Sequence, residues 1–199
     1  MIPAQRAPEA VPSASVGIDL DAATRWALAA RGGDPVAQAA FVRATQTEVW
    51  RLAAALVDPD AADDLAQETY LRAFRALPDF EGRSSVRTWL LGITRRACAD
   101  HLRSVVRRRR LRSRLEAHPE PERSVMASAE PDPAQRFAST ELLRKLPADR
   151  RSAFILTQLI GLSYTEAAEV EGVPVGTIRS RVARARAELV AVLDEAGTS

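Results

Sequence analysis

The sequence predicts an all-α fold of two small helical domains joined by a flexible linker. Hydrophobic residues make up 46% of the 199 residues and aromatic residues only 5%, so Ala, Leu and Val must build the cores. Ala and Leu are good helix formers, which favours helices. No segment alternates polar and apolar residues as a half-buried strand does. Apolar residues recur instead at helical spacing, in segments that Gly and Pro separate.

The first domain is expected over residues 19–112, after an N-terminal tail of residues 1–18. The tail is rich in Pro, Ala and Ser, so we expect it to be disordered. Helical periodicity begins near Asp19. Asp34 followed by Pro35 is typical of the N-cap and the first position of a helix, and this pair predicts the start of a second helix.

Two more helices are predicted in this domain. The third begins near Asp60, carries one apolar stripe and ends at Pro78, because proline cannot continue a helix. A short loop over residues 79–85 follows. The fourth helix spans about residues 86–110 and carries Trp89 within its apolar stripe.

Residues 113–133 are predicted to form the linker, and residues 134–196 the second domain. Most of the linker is rich in Pro, Glu and Ser and poor in large apolar residues. Its prolines prevent a continuous helix, which is typical of a segment between domains. Such a linker is long enough for the two domains to pack against each other.

The second domain contains the pattern of a helix-turn-helix. Ser163 and Glu166 are three residues apart, as in a capping box, and predict the start of a short helix. Gly172 supplies the turn. The next helix, from Val175 to about Leu189, is in the position of a recognition helix, which enters the major groove of DNA.

The recognition helix has two distinct faces. Its apolar stripe should pack on the domain core and consists of Ile178, Val182, Ala185 and Leu189. Four arginines lie between Gly176 and Ala187 without an acidic residue, which favours an anionic partner over a solvated basic face. We expect DNA contacts from Thr177, Arg179, Ser180, Arg181, Ala183, Arg184 and Arg186. Ala183 offers only a methyl group, which leaves the sequence preference open.

Charges in the first domain are segregated by segment. An acidic face without any basic residue is formed by Asp58, Asp60, Asp63, Asp64 and Glu68. Eleven arginines and a single acidic residue, Asp100, lie between Arg83 and Arg114. A solvated face is the usual explanation of a charge run. Segregation of both signs in one domain favours two partners instead, one basic and one polyanionic.

These motifs, in this order, resemble the regions of bacterial RNA polymerase sigma factors of the sigma-70 family. The matching segments are residues 63–74 for region 2.2, residues 89–96 with 100–103 for regions 2.3 and 2.4, and residues 174–186 for region 4.2. The two-domain layout resembles the extracytoplasmic-function (ECF) group, and within it the sigma C type. The resemblance spans about residues 34–189.

The resemblance implies a role for each domain. The acidic helix would dock on the clamp helices of the polymerase β′ subunit, through Asp60, Asp63, Asp64, Gln67, Glu68 and Arg72. The second domain would contact the β flap and read the minus-35 element of promoter DNA with the recognition-helix residues named above. An anti-sigma protein is a further partner that the resemblance allows.

The resemblance also implies a strand-binding site at the minus-10 element, where a base is flipped out of the non-template strand. The residues so assigned are Phe80, Gly82, Arg83, Ser84, Ser85, Arg87, Arg95, Arg96, Asp100 and Arg103. For Phe80 we favour an anchor of the loop over a stacking platform, and for Trp89 a place in the core. Glu171 departs from the family pattern, which usually has an apolar residue there. Either the helix ends early or a partner covers the site.

Two alternatives belong to other functional classes. A stand-alone helix-turn-helix regulator would bind its duplex tightly without polymerase, but it would not need the acidic face. A nucleic-acid enzyme has no support, because His101 and His118 lack metal-ligand spacing and no glycine-rich phosphate loop is present. Adjacent carboxylates such as Asp63 and Asp64 point about 100° apart on a helix and make a poor metal clamp. We therefore predict no catalytic activity, cofactor or metal.

The sequence also predicts a cytoplasmic protein. Its single cysteine, Cys98, cannot form an intrachain disulfide and is expected to be a buried, inert thiol. The N-terminal tail lacks the apolar run of a signal peptide, and no segment approaches the length of a membrane span, so no membrane insertion is expected.

Overall fold

A computed structural model describes residues 20–81, 84–115 and 142–197, and every regular element in these ranges is helical. The all-α prediction is confirmed for this part of the chain. The tail of residues 1–18 and most of the predicted linker, residues 113–133, lie outside the described residues. None of the described helices combines the length and the apolar character needed to cross a membrane.

The helices of the first domain begin and end at local sequence signals. They are α1 (Leu20–Ala30), α2 (Pro35–Leu56), α3 (Ala62–Ala76) and α4 (Val86–Leu115). The Asp34 side chain caps α2, as predicted, by accepting a 2.9 Å hydrogen bond from a backbone N–H of the first turn. Pro78 lies in a 3-10 turn that follows α3. α4 continues past Arg110, its predicted end, because no proline or glycine interrupts residues 111–118.

The core of the first domain is built around Phe41 of α2. Its ring lies 6.3 Å from the Tyr70 ring and 6.2 Å from the Phe74 ring, measured between centroids, in edge-to-face arrangements. The Tyr70 hydroxyl shares a 2.8 Å hydrogen bond with Thr45, so this buried polar group has a partner. Burial raises the pKa of Tyr70 to about 12. These contacts hold α2 and α3 in a fixed relation, and α3 carries the acidic face.

The second domain contains the predicted helix-turn-helix. Its elements are α5 (Ala148–Phe154), a π-helical turn (Ile155–Leu159), α6 (Tyr164–Glu171) and α7 (Val175–Gly197). The predicted capping box is present, because Ser163 Oγ accepts from the Glu166 N–H at 3.2 Å and the Glu166 carboxylate accepts from the Ser163 N–H at 2.8 Å. Gly172 turns the chain at φ 68°, a left-handed conformation that costs other residues about 1–2 kcal/mol.

The two domains pack against each other through one continuous apolar cluster. The first domain contributes residues of α2, α3 and α4, including Leu52, Leu56 and Cys98. The second contributes buried side chains of the helix-turn-helix and the π-helical turn, including Leu156 and Ile178. The two domains, which the linker is long enough to bring together, are therefore packed against each other in this structure. Surfaces that face each other across this junction are not open to solvent.

Candidate nucleic-acid and polymerase interfaces

The acidic face of α3 is open to solvent. Asp60, Asp63, Asp64 and Gln67 are exposed, and Glu68 is partly buried. The Trp50 indole N–H donates a 3.0 Å hydrogen bond to the Asp63 carboxylate, which joins α2 to this face. Beside it a groove of about 570 Å³ runs between α2 and α3, lined among others by Val42, Trp50 and Tyr70. Asp63 of the acidic face lines this partly apolar groove, as does Arg51, and the exposed carboxylates beside it fit a basic, amphipathic partner.

Arg72 connects the acidic face to α4. Its Nε donates to Glu68 at 2.7 Å and its Nη1 to Asp100 at 2.6 Å. Asp100 also accepts from Arg103. The hydrogen bond from Arg72, followed by the one from Arg103, holds the pKa of Asp100 below its ordinary value. Arg72 and Asp100, which the sequence assigned to separate sites, therefore form one network.

The loop before α4 is anchored by an aromatic pair. Phe80 is 5% exposed, and its ring centroid lies 4.9 Å from that of Trp89. Phe80 therefore packs into the domain as an anchor, and Trp89 lies against the same core. The Ser85 hydroxyl accepts a 3.1 Å hydrogen bond from the Thr88 N–H and stabilises the start of α4. Two further residues assigned to this loop, at positions 82 and 83, lie outside the described residues.

Two arginines assigned to strand binding are engaged within the protein. The Arg87 side chain is 14% exposed, donates from Nε to Glu48 at 2.8 Å, and reaches the Ile160 carbonyl of the second domain at 3.0 Å. The hydrogen bond to Glu48 raises the pKa of Arg87 above its ordinary value. Arg95 donates to Glu171, also in the second domain, at 2.8 Å. Arg96 is exposed, as is the Arg103 side chain.

The recognition helix α7 presents the two faces that the sequence predicted. Ile178, Val182 and Ala185 are buried against the rest of the domain, whereas Leu189, the fourth residue of the predicted stripe, is only partly buried. The residues exposed on the opposite side are Arg179, Ser180, Ala183, Arg184 and Arg186, with Thr177 partly buried. Arg186 donates to the Gln158 side chain at 2.7 Å. Arg181 is only 23% exposed and pairs with Asp149 at 3.2 Å, so it is less accessible than its neighbours.

The first domain covers Glu171, the residue that departs from the family pattern. Its side chain is 1% exposed and receives two hydrogen bonds from Arg95, at 3.2 and 2.8 Å. The Ser152 hydroxyl donates to it, and Arg181 Nη1 lies 3.7 Å away. α6 does not end early, since Glu171 is its last residue. The covering partner is therefore the chain's own α4.

Sequence reasoning did not identify the acidic residues that hold these arginines. Glu48 of α2 and Glu166 of α6 flank Arg87, with Glu166 Oε1 3.9 Å from its Nη1. Glu166 is also the acidic residue of the capping box. Burial raises the pKa of Glu166, but the hydrogen bonds from Ser163 and the charge of Arg87 outweigh it and keep that pKa below its ordinary value. The sequence pattern of a capping box identifies Glu166 as a capping residue, but it does not show that Glu166 also lies near Arg87.

Models of known protein families match both domains. The model for sigma-70 region 2 matches residues 41–110, and the model for sigma-70 region 4 matches residues 138–189. The order and position of the two matches agree with the motifs in the sequence.

Individual relatives extend the similarity to most of the chain. The probable RNA polymerase sigma-C factor of Mycobacterium bovis is 48% identical over 174 residues, which are 87% of this chain and 92% of that protein. Among solved structures, CnrH in complex with the cytosolic domain of CnrY has a TM-score of 0.68 and 26% identity, covering 88% of this chain and 99% of that one. The sigma factor RpoE in complex with the anti-sigma factor NepR, from Bartonella quintana, has a TM-score of 0.59 and 32% identity over 77% and 96% of the chains. The ECF RNA polymerase sigma factor SigC of Mycobacterium tuberculosis is likewise 48% identical over 174 residues, 87% of this chain and 92% of that protein. The chain belongs to the ECF group of the sigma-70 family of RNA polymerase sigma factors.

Proposed function

We propose that this chain is a dissociable subunit that binds core RNA polymerase, directs it to specific promoters and helps to open the minus-10 element. The observation that carries the proposal is the coexistence, on one molecule, of an exposed acidic helix and two arginine-rich helices. The acidic helix suits a protein partner, and the arginine-rich helices suit DNA. As a sigma factor, the chain is an initiation factor and not an enzyme.

The division of labour follows the two domains. Residues 19–112 act as region 2 and residues 134–196 as region 4, with residues 1–18 as a tail and 113–133 as the linker. Core polymerase is bound through the acidic face of α3, which meets the β′ clamp helices, and region 4 contacts the β flap. The exposed carboxylates and the adjoining apolar groove support this docking face.

Promoter DNA is held by α4 and α7. The exposed Arg96 and Arg103 belong to the surface of α4 that takes the non-template strand, while Arg87 and Arg95 join it only when the second domain moves away. On α7, Arg179 and Arg184 contact base edges or phosphates of a duplex, and their exposure supports this role. Ser180 and Ala183 lie on the same exposed face. Ser180 contributes a hydroxyl group to the contact with DNA, and Ala183 contributes only a methyl group.

The remaining partner and the compartment follow from the relatives. CnrH and the Bartonella RpoE were solved with CnrY and with the anti-sigma factor NepR, respectively. By analogy, we assign an anti-sigma protein to this chain as well. Core RNA polymerase and promoter DNA are both cytoplasmic, and the protein acts there.

Run-off transcription with core polymerase on genomic fragments tests the proposal. We expect discrete transcripts that require both the full-length chain and core polymerase, and their start sites would define the promoter elements. Binding to genomic duplexes should be weak without core polymerase. Tight, sequence-specific duplex binding by the chain alone, with no transcripts when core polymerase is added, would identify a stand-alone regulator instead.

A further inference from the structure

The Glu171 carboxylate contacts arginines of both DNA-binding surfaces. Arg95 lies on α4, in the surface assigned to the minus-10 strand, and Arg181 lies on the recognition helix. Both reach the same buried carboxylate, at 2.8 and 3.7 Å respectively. Arg95 makes charged hydrogen bonds and Arg181 a longer ion pair, and arginines make both kinds of contact with phosphate oxygens.

The Glu171 carboxylate has partners on both of its oxygens. A buried carboxylate without partners would be strongly disfavoured. Here the two hydrogen bonds from Arg95, the hydroxyl of Ser152 and the nearby charge of Arg181 satisfy both of its oxygens. Without the first domain, Glu171 would lose Arg95 and the cover that excludes water. The two hydrogen bonds from Arg95 therefore depend on the contact between the domains, whereas the one from Ser152 does not.

A second contact also joins α4 to α6. Arg87, more than two turns before Arg95 on α4, reaches the Ile160 carbonyl and lies 3.9 Å from Glu166 at the start of α6. Glu171 lies at the other end of α6. α6 is thus held against α4 at both ends, with the shared apolar cluster around it.

We propose that Glu171 is an internal substitute for a DNA phosphate, which binds Arg95 of α4 beside Arg181 of the recognition helix and keeps the two domains closed when DNA is absent. One carboxylate then occupies both DNA-binding surfaces at once. Opening the domains releases Arg95 from Glu171, whereas Arg181 and Glu171 belong to the same domain and stay close to each other. The proposal rests on the DNA-binding role given to α4 and α7 under the proposed function.

The single cysteine of the chain offers a direct measure of opening. Cys98 is 1% exposed and belongs to the apolar cluster that both domains share. It lines a cavity of about 220 Å³ between them, together with Ala148 and Ser152 of the second domain. Burial raises the pKa of this thiol to about 12. Its rate of alkylation by N-ethylmaleimide should therefore report separation of the domains.

The test compares Glu171→Gln with Glu169→Gln in the full-length protein. Both variants remove one negative charge from α6, but Glu169 is exposed. We expect Glu171→Gln to accelerate Cys98 alkylation by about tenfold, the factor that ~1.4 kcal/mol produces. Glu169→Gln should stay close to the unmodified protein. Equal rates for Glu171→Gln and the unmodified protein would overturn the proposal.

A double variant separates a latch between domains from a role within the second domain. If Glu171 acts through Arg95, then Arg95→Gln alone should also accelerate alkylation, and Glu171→Gln should add little in that background. Full additivity would assign Glu171 a purely local role and refute the proposal. The rate is measured at several low urea concentrations, because domain opening depends on urea less steeply than global unfolding does.

DNA binding tests the assigned role of Arg95 separately. Fluorescence anisotropy with a random single-stranded oligonucleotide should show at least a fivefold gain in affinity for Glu171→Gln over Glu169→Gln. The factor is on the order of what ~1 kcal/mol gives. Faster alkylation without a gain in DNA affinity would leave the latch intact but refute the phosphate-substitute part and the strand-binding role. Gain in both measurements supports the whole proposal.

Discussion

Arg179 and Arg184 are exposed on the face of α7 opposite its buried stripe. We expect Arg179→Ala and Arg184→Ala each to weaken promoter use by roughly 1–3 kcal/mol, because each removes a base or phosphate contact. Transcription from a matched promoter, identified by run-off mapping, measures the effect, and a pull-down with core polymerase should be unchanged. Arg43→Ala, at an exposed arginine of α2, is the control. Equal transcription by all three variants would contradict the assignment of this face.

Single residues also show where sequence reasoning reached its limit. The exposed arginines of α7 were predictable, since helical spacing alone places them opposite Ile178 and Val182. Glu171 was recognisable as a charged residue at a position where apolar residues are usual. Its partner was not, because Arg95 lies 76 positions away along the chain and only tertiary packing brings the two together. The same limit applied to Arg87 and Glu48.

At the level of elements, α3 is the helix whose surface charge has the clearest consequence. Asp64 is exposed in the middle of the acidic face. We expect Asp64→Lys to weaken association with core polymerase, because a like charge would then face the basic partner. The matched control is a double variant that carries both Ala29→Lys and Ala39→Lys. Like Asp64→Lys, it makes the net charge more positive by two, but at exposed positions on α1 and α2. Full retention of Asp64→Lys in a pull-down would place the docking face elsewhere.

The start of α6 should respond to pH through Glu166. Its pKa is depressed in the folded protein, so its contribution to stability is fully present above its ordinary value of 4.5 and is lost as pH falls through the folded value. Urea unfolding, followed by circular dichroism between about pH 6 and pH 3, should therefore show a loss of stability that Glu166→Gln makes shallower. Parallel pH profiles for the two proteins would contradict the depressed pKa.

Helix ends were predictable where the signal is local. The N-cap at Asp34, the break at Pro78 and the capping box at Ser163 all depend on residues within one turn of each other, so the sequence alone locates them. The C-terminal ends of α4 and α7 extend further than predicted. No proline or glycine stands at the predicted end of either helix. A predicted end that has no such residue is less reliable than one that does.

For the whole molecule, the shared apolar cluster predicts cooperative unfolding. The three tryptophans, Trp26, Trp50 and Trp89, all lie in the first domain, so their fluorescence reports on that domain alone. Circular dichroism reports on helices of both domains. Because both contribute to one buried cluster, we expect the two signals to give coincident urea transitions. Two separated transitions would show that the domains unfold independently.

The packing of the two domains has a further consequence, since both belong to one polypeptide. Their association is a unimolecular step, and its equilibrium does not depend on how much protein the cell contains. An inhibitor on a separate chain can be outnumbered when synthesis of its target increases, whereas a closed conformation keeps the same fraction of molecules inactive at every expression level. Such a factor would be set free by ligands that bind only its open form, in proportion to their concentration and affinity.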